Sequence, residues 1–261
     1  MQLRWILVFG ITLVVSRNGA LANDTAELAQ AVQNQIANLV SVPFQNNTNF
    51  NFGPEEKTQN VLNIQPVVPF TPGDKWNVIT RTILPIISQP GFTPGQDREN
   101  GIGNTLFTAF LSPREGGKVI WGVGPAIQLP TSSDDQIAAD EWAAGPSLVF
   151  LAMPGQWVIG SLLSNIWEMS GSEDINFFTW QYFVNYNYAG GWYLTSSPIM
   201  TANWEADDEW TVPVGGGFGR VFHIGKQPVN AQFQAFYNVV KPDDIGPDWS
   251  TRIQFQLMFP K

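Results

Sequence analysis

The pattern that organises the chain is an alternation. Phe178, Trp180, Tyr182, Val184 and Tyr186 are apolar or aromatic at every second place, and Thr179, Gln181, Asn185 and Asn187 stand between them. Period two sends alternate side chains to opposite faces of a strand, so this stretch predicts one aromatic face and one amide face. Phe183 breaks the rule by standing among the amides.

Eleven further segments read as strands: Val42 to Phe52, Asn60 to Phe70, Trp76 to Ile86, Asn104 to Ser112, Val119 to Leu129, Trp142 to Met153, Trp157 to Met169, Trp192 to Trp204, Trp210 to Phe222, Val229 to Val239 and Trp249 to Phe259. With Phe178 to Tyr188 they make twelve. The connections alternate in character. Thr71 to Lys75, Pro154-Gly155 and Ala189 to Gly191 are short, whereas Ser88 to Gly103, Thr131 to Glu141 and Lys241 to Asp248 are long and polar. Short turns on one rim and long loops on the other are the habit of an up-and-down barrel in an outer membrane.

Tryptophan placement separates that barrel from a soluble sandwich. Trp76, Trp157 and Trp192 open strands at the turn end, while Trp142, Trp167, Trp204, Trp210 and Trp249 mark the loop end. Trp157 and Trp167 share a face ten residues apart. At a rise of ~3.3 Å per residue and a tilt of ~40°, they stand roughly 25 Å apart along the membrane normal, the height of an apolar band between two aromatic girdles. The expected fold is an all-β, transmembrane up-and-down antiparallel barrel of twelve strands with a short N-terminal helix. Pro66, Pro85, Pro125, Pro146, Pro198 and Pro213 fall inside these strands. Proline cannot donate to a ladder, so they are expected at bulges or in the outer part of the wall.

Composition adds a compartment. Arg4, the apolar run Trp5 to Val15 and Ala20-Leu21-Ala22 read as a secretory signal peptide over residues 1–22, cleaved after Ala22. The barrel then occupies 23–261. Within it Asp24 to Ala37 predicts a helix with Asp24 and Glu27 as a capping box, either a periplasmic lead-in or a plug in the lumen. There is no cysteine, hence no disulfide framework and no thiol site. Charged residues are only 13% of the chain, about half the soluble norm of ~25%.

Charge divides the two rims. Most of the 22 acidic residues fall in the long connections, among them Glu55, Asp97, Asp134, Asp140, Glu173, Asp207, Asp243 and Asp248. The short-turn rim instead carries Lys75, Arg114, Lys118, Arg220 and Lys226. Loss of the leader takes Arg4 and Arg17 away and leaves a net charge of −11, which argues against nucleic acid as a partner.

Glycine-rich pieces carry a family resemblance. Gly101-Ile102-Gly103-Asn104, Gly122-Val123-Gly124-Pro125 with Leu129-Pro130-Thr131, Gly145-Pro146, Asn165-Ile166-Trp167 and Pro213-Val214-Gly215-Gly216-Gly217 resemble a family of small bacterial outer-membrane barrels. Its members are catalogued as transporters of the phenol-degradation (MetA-pathway) type, some under the label neuromedin U. The resemblance implies transport of small organic compounds. Where the family usually has Asp after Gly-x-Gly, this chain has Asn104.

Chemistry-bearing motifs are sparse. One class of twelve-stranded barrel is a phospholipase that uses Ser, His and Asn near the outer rim, but the single histidine, His223, belongs to the opposite end of its strand. Catalysis is therefore not expected. Asp134-Asp135, Asp207-Asp208-Glu209 and Asp243-Asp244 lack calcium-loop spacing and read as a solvated rim, with no metal site or other cofactor expected. Gly215-Gly216-Gly217-Phe218-Gly219 would need a following helix to be a phosphate loop, and a strand rhythm follows instead.

The candidate site is the lumen. Gln45, Asn47, Asn49, Asn63, Gln65, Arg81, Gln128, Gln181, Phe183, Asn185, Asn203, Gln232, Gln234, Arg252 and Gln254 are expected to line it. Two readings stay open: a passive channel or transporter for small solutes, or a closed structural barrel whose acidic loops bind cations, lipopolysaccharide or a partner. Expected partners are outer-membrane lipids and lipopolysaccharide. The alternating, aromatic last strand Phe255, Leu257, Phe259 adds the barrel-assembly machinery.

Overall fold

The computed structural model describes residues 28–170, 174–206 and 209–260. The signal-peptide reading, the Asp24–Glu27 capping box, Glu173 and Asp207-Asp208 lie outside them. The strands are β1 (Val40–Phe52), β2 (Lys57–Ile64), β3 (Val67–Phe70), β4 (Trp76–Gln89), β5 (Glu99–Ile102), β6 (Thr105–Pro113), β7 (Ile120–Leu129), β8 (Trp142–Ala152), β9 (Trp157–Ser170), β10 (Asn176–Asn187), β11 (Trp192–Ser196), β12 (Ile199–Asn203), β13 (Glu209–Ile224), β14 (Gln227–Val240) and β15 (Trp249–Phe259). β2 and β3 share the same two neighbours, as do β11 and β12, and β5 continues into β6 beside β4. Each pair is one interrupted stave, so twelve antiparallel staves form the wall. β1 closes it against β15, from Val40 opposite Phe259 to Phe50 opposite Trp249. Closure leaves no unpaired edge, the requirement for a sheet surrounded by lipid.

The prolines explain the interruptions. Pro66 lies between β2 and β3, and Pro198 between β11 and β12. Pro213 sits at a register shift against β14, the one clear bulge among the six. Pro125 and Pro146 face each other across β7 and β8. On their outer flanks the ladders skip, from Thr108–Ala126 to Leu111–Val123 on one side and from Ala144–Trp167 to Ser147–Ser164 on the other. Pro85 accepts from the Gly103 N–H at the break between β5 and β6. Missing donors are thus gathered at gaps rather than left as orphans within the wall. The loop expected from Ser88 to Gly103 is shorter than its sequence suggests, because β4 runs on to Gln89 and β5 pairs with it.

Aromatic clusters ring both ends on the outer face. Trp157 packs against Tyr186 and Trp76 against Trp121 at the turn end. Phe178, Trp204 and Trp210 form a triad at the loop end, and Tyr237 meets Trp249. Outward polar groups pair among themselves. Trp180 Nε1 donates to Ser161 Oγ at 2.7 Å and Trp204 Nε1 to Asn165 Oδ1 at 3.0 Å. Such pairing matters on a lipid-facing wall, where no water replaces a lost partner.

At the loop end the closing seam is clamped by Asp248, just before β15. Its Oδ1 pairs with Lys241 Nζ at 2.6 Å, its Oδ2 accepts from Asn51 Nδ2 at 2.9 Å, and its N–H donates to the Phe50 carbonyl. The hydrogen bonds from Lys241 and then Asn51 hold this carboxyl below its ordinary value. A depressed carboxylate stabilises the fold above the unfolded pKa of about 3.9 and loses that contribution as pH falls through the folded value. Amide exchange at the loop end of β1 should therefore quicken only below about pH 4, and Asp248→Asn should abolish that acid response. An identical acid profile in the variant would sink the clamp.

Candidate functional site in the lumen

The inner face is two-sided. On β4 and β6 to β10 it is largely apolar: Ile79, Phe110, Val149, Leu151, Val158, Leu162 and Phe183 form one buried cluster. On β1, β2, β11, β14 and β15 it is mostly amides and hydroxyls. Gln45, Gln65, Thr195, Asn230, Gln234 and Gln256 are buried there. Register generates this division, because cross-strand partners share a face. Asn47 opposes Arg252, Gln234 opposes Arg252 from the other side, and Gln45 opposes both Asn63 and Gln254.

The N-terminal segment crosses between the two sides. Among the described residues the helix covers 28–33, ending before the expected Ala37, and the chain then turns into β1. Asn34 Oδ1 accepts from the Ile36 N–H at the turn. Ile36 joins the apolar cluster, whereas Ala29 and Leu39 pack with Tyr193, Val221 and Met258 of the opposite wall. Gln33 and Asn187 exchange a reciprocal amide pair at 2.8 and 3.0 Å. Each such hydrogen bond contributes about 1 kcal/mol.

Two cavities follow. One of about 90 Å³ lies above the segment and is lined by Gln45, Gln65, Arg81, Gln181, Phe183, Asn185, Gln232, Arg252 and Gln254 of the expected residues. A second, of about 310 Å³, takes Asn47, Asn49 and Asn63 and shares Gln45 and Arg252 with the first. Gln234 is fully buried and exchanges hydrogen bonds with Ser197. Gln128 donates instead to the Glu141 carbonyl and Asn203 Oδ1 accepts from the Glu205 N–H, and both lie outside the two cavities. Phe183 is 2% exposed, packed in the apolar cluster although it borders the first cavity.

Sequence reasoning missed Ser197, Tyr193 and Phe236. Arg252 Nη1 donates to the Ser197 carbonyl at 2.8 Å, Nε donates to Asn47 Oδ1 at 3.0 Å, and the guanidinium lies 5.1 Å from the Phe236 ring centre. Nothing local in the sequence announces a backbone acceptor. Tyr193 shares its face with Thr195 and was legible by parity. Its hydroxyl donates to Asn230 Oδ1 at 2.8 Å, and its ring lies where a side chain on Gly219 would go. Gly219 is therefore room for Tyr193, whereas a Cβ on Gly215, Gly216 or Gly217 would meet the backbone of a neighbouring strand. The strand that carries them hairpins into β14 rather than entering a helix.

Asn104, where the resembling family carries Asp, donates to the Ala139 carbonyl at 2.6 Å and accepts from the Thr131 and Ser132 N–H groups. An amide does both, pinning the 131–139 loop to the wall. His223 is exposed beside the β13–β14 turn. Gly219→Val should drive a branched side chain into Tyr193 and cost about 1–3 kcal/mol, the usual range for overpacking. The check is a lower unfolding midpoint by heat-modifiable gel migration, with a partial return in the Gly219→Val, Tyr193→Ala pair. Equal midpoints for Gly219→Val and the wild type would refute the contact.

No family model matches the sequence, and no curated protein matches it either. Solved structures do. The COG4313 outer membrane channel from Pseudomonas putida F1 superposes with a TM-score of 0.65 at 17% identity, over 85% of this chain and 95% of that one. Outer membrane phospholipase A from Escherichia coli matches with a TM-score of 0.46 at 11% identity, over 91% and 98%. A Pseudomonas aeruginosa FadL homologue gives 0.41 at 10%, over 90% and 92%. The phospholipases correct the expectation that catalysis is absent, since barrels matching along nine-tenths of this chain include enzymes. What the chain shares with the Pseudomonas putida channel is its fold, a closed twelve-stave antiparallel barrel.

Proposed function

We propose that the chain is an outer-membrane channel or transporter for passive passage of small solutes. The observation that carries this reading is the pair of lumen cavities meeting at Gln45 and Arg252, inside a wall whose outer face is apolar and girdled. Amide-lined walls offer donors and acceptors to a passing solute. The resemblance of the glycine-rich pieces to the MetA-pathway type supports small organic compounds, aromatic ones among them, as cargo. The loop end with its acidic residues then faces outward, toward lipopolysaccharide, and the turn end faces the periplasm. The leader ending at Ala22 supports export, and the last strand supports delivery by the barrel-assembly machinery.

Folded protein in planar bilayers should give discrete conductance steps, and a silent bilayer with correctly folded protein would refute the channel. The segment at 28–39 acts in this reading as a partial plug at the turn end. Deleting residues 24–38 should raise conductance severalfold while heat-modifiable migration persists. Unchanged conductance in a folded deletion variant would show that the segment is not in the path.

The competing reading is a closed barrel, and the packed cluster around Ile36 and Phe183 favours it locally. That cluster fills the apolar side, whereas both cavities border the amide side.

A further inference from the structure

The two cavities hold two arginines and no carboxylate among the residues that line them. The ion pairs of the described residues are Lys57–Glu55, Arg114–Asp74 and Lys241–Asp248, none of them in the lumen. Arginine stays charged at any physiological pH and carries five N–H donors. Arg252 spends two on Asn47 and Ser197, and Arg81 spends one on Gln65 at 2.7 Å. No described residue takes the rest. A charge enclosed by protein wall without a counter-charge favours whatever anion reaches it.

The larger cavity has a second character. Phe236, Ile199, Val61 and Pro213 line it beside the amides, and Arg252 lies over the Phe236 ring. Its volume of about 310 Å³ sits at the lower bound of small-molecule sites, about 300 Å³. An apolar wall next to a guanidinium fork suits a ligand with one anionic end and a compact apolar body. A neutral solute leaves the fork unpaired, a cation is repelled, and inorganic phosphate has nothing to lay against Phe236.

We propose that this outer cavity binds small monocarboxylates with an apolar body, the carboxylate on the free N–H edge of Arg252 and the body against Phe236 and Ile199. Arg81, in the adjoining cavity, is the second carboxylate position on the way inward. The acidic rim does not forbid entry. Asp248 stands four residues above Arg252, roughly 13 Å at ~3.3 Å per residue, beyond the about 8 Å over which charge is felt at physiological salt. The passage from one arginine to the other rests on the channel reading, while the binding site itself does not.

Calorimetry on folded, detergent-solubilised protein tests it with benzoate against benzyl alcohol, similar bodies that differ in charge. Benzoate should bind at least tenfold more tightly. Arg252→Gln should remove most of that preference and Arg252→Lys should retain part of it, since Lys keeps the charge and loses the fork. Phe236→Ala should weaken benzoate and leave phosphate unaffected. Equal affinity for the two probes in the wild type overturns the proposal even if no variant folds, and so does an unchanged preference in folded Arg252→Gln. Conductance separates the two readings: steps without benzoate binding overturn the site alone, and benzoate binding without steps overturns the channel alone.

Discussion

Everything in this molecule follows from the cost of an unpaired backbone amide where water is absent. Each N–H or C=O left bare in hydrocarbon costs several kcal/mol, so the sheet must close, and β1 meets β15 over eleven residue pairs to close it. The same cost dictates where proline is tolerated. Pro66 and Pro198 break a stave, and Pro125 and Pro146 stand where ladders already skip. It reaches side chains as well, because Trp180 and Trp204 find hydroxyl and amide acceptors on the lipid-facing surface.

Closure then leaves an interior to fill, and the two sides fill it differently. The β4 and β6 to β10 side behaves as a core and takes Ile36 from the N-terminal segment to complete itself. The amide side cannot be packed that way without stranding donors and acceptors. Instead Gln234 pairs with Ser197, Tyr193 with Asn230, and Arg252 with both Asn47 and Ser197. Space survives where these side chains do not reach one another.

Wall geometry was legible in the sequence because it is periodic. The last strand matches its expected span from Trp249 to Phe259, and Trp142 and Trp192 open strands as read. Period two also assigns the face of each lumen residue, as with Gln45, Arg81 and Arg252. What it does not encode is reach beyond a neighbouring stave. Phe183 shares a cluster with Ile36, far away in the chain, and Arg252 finds a carbonyl three staves away at the β11–β12 break. Gln128 and Asn203 have inward parity yet satisfy themselves on neighbouring backbone near the rim. The prolines were visible but their meaning was not, since a ladder gap involves the neighbouring stave as much as the proline.

The N-terminal segment runs directly into β1 at the turn end, with Leu39 packed inside and Val40 already paired to Phe259. The segment contributes no strand to the sheet, so the closure of β1 against β15 is complete without it. Construction of the shell and filling of its mouth are therefore separable steps. The second is held by the reciprocal Gln33–Asn187 amide pair, the Gln30 Nε2 donation to the Gly155 carbonyl and apolar contacts, none of which is a rung of the ladder.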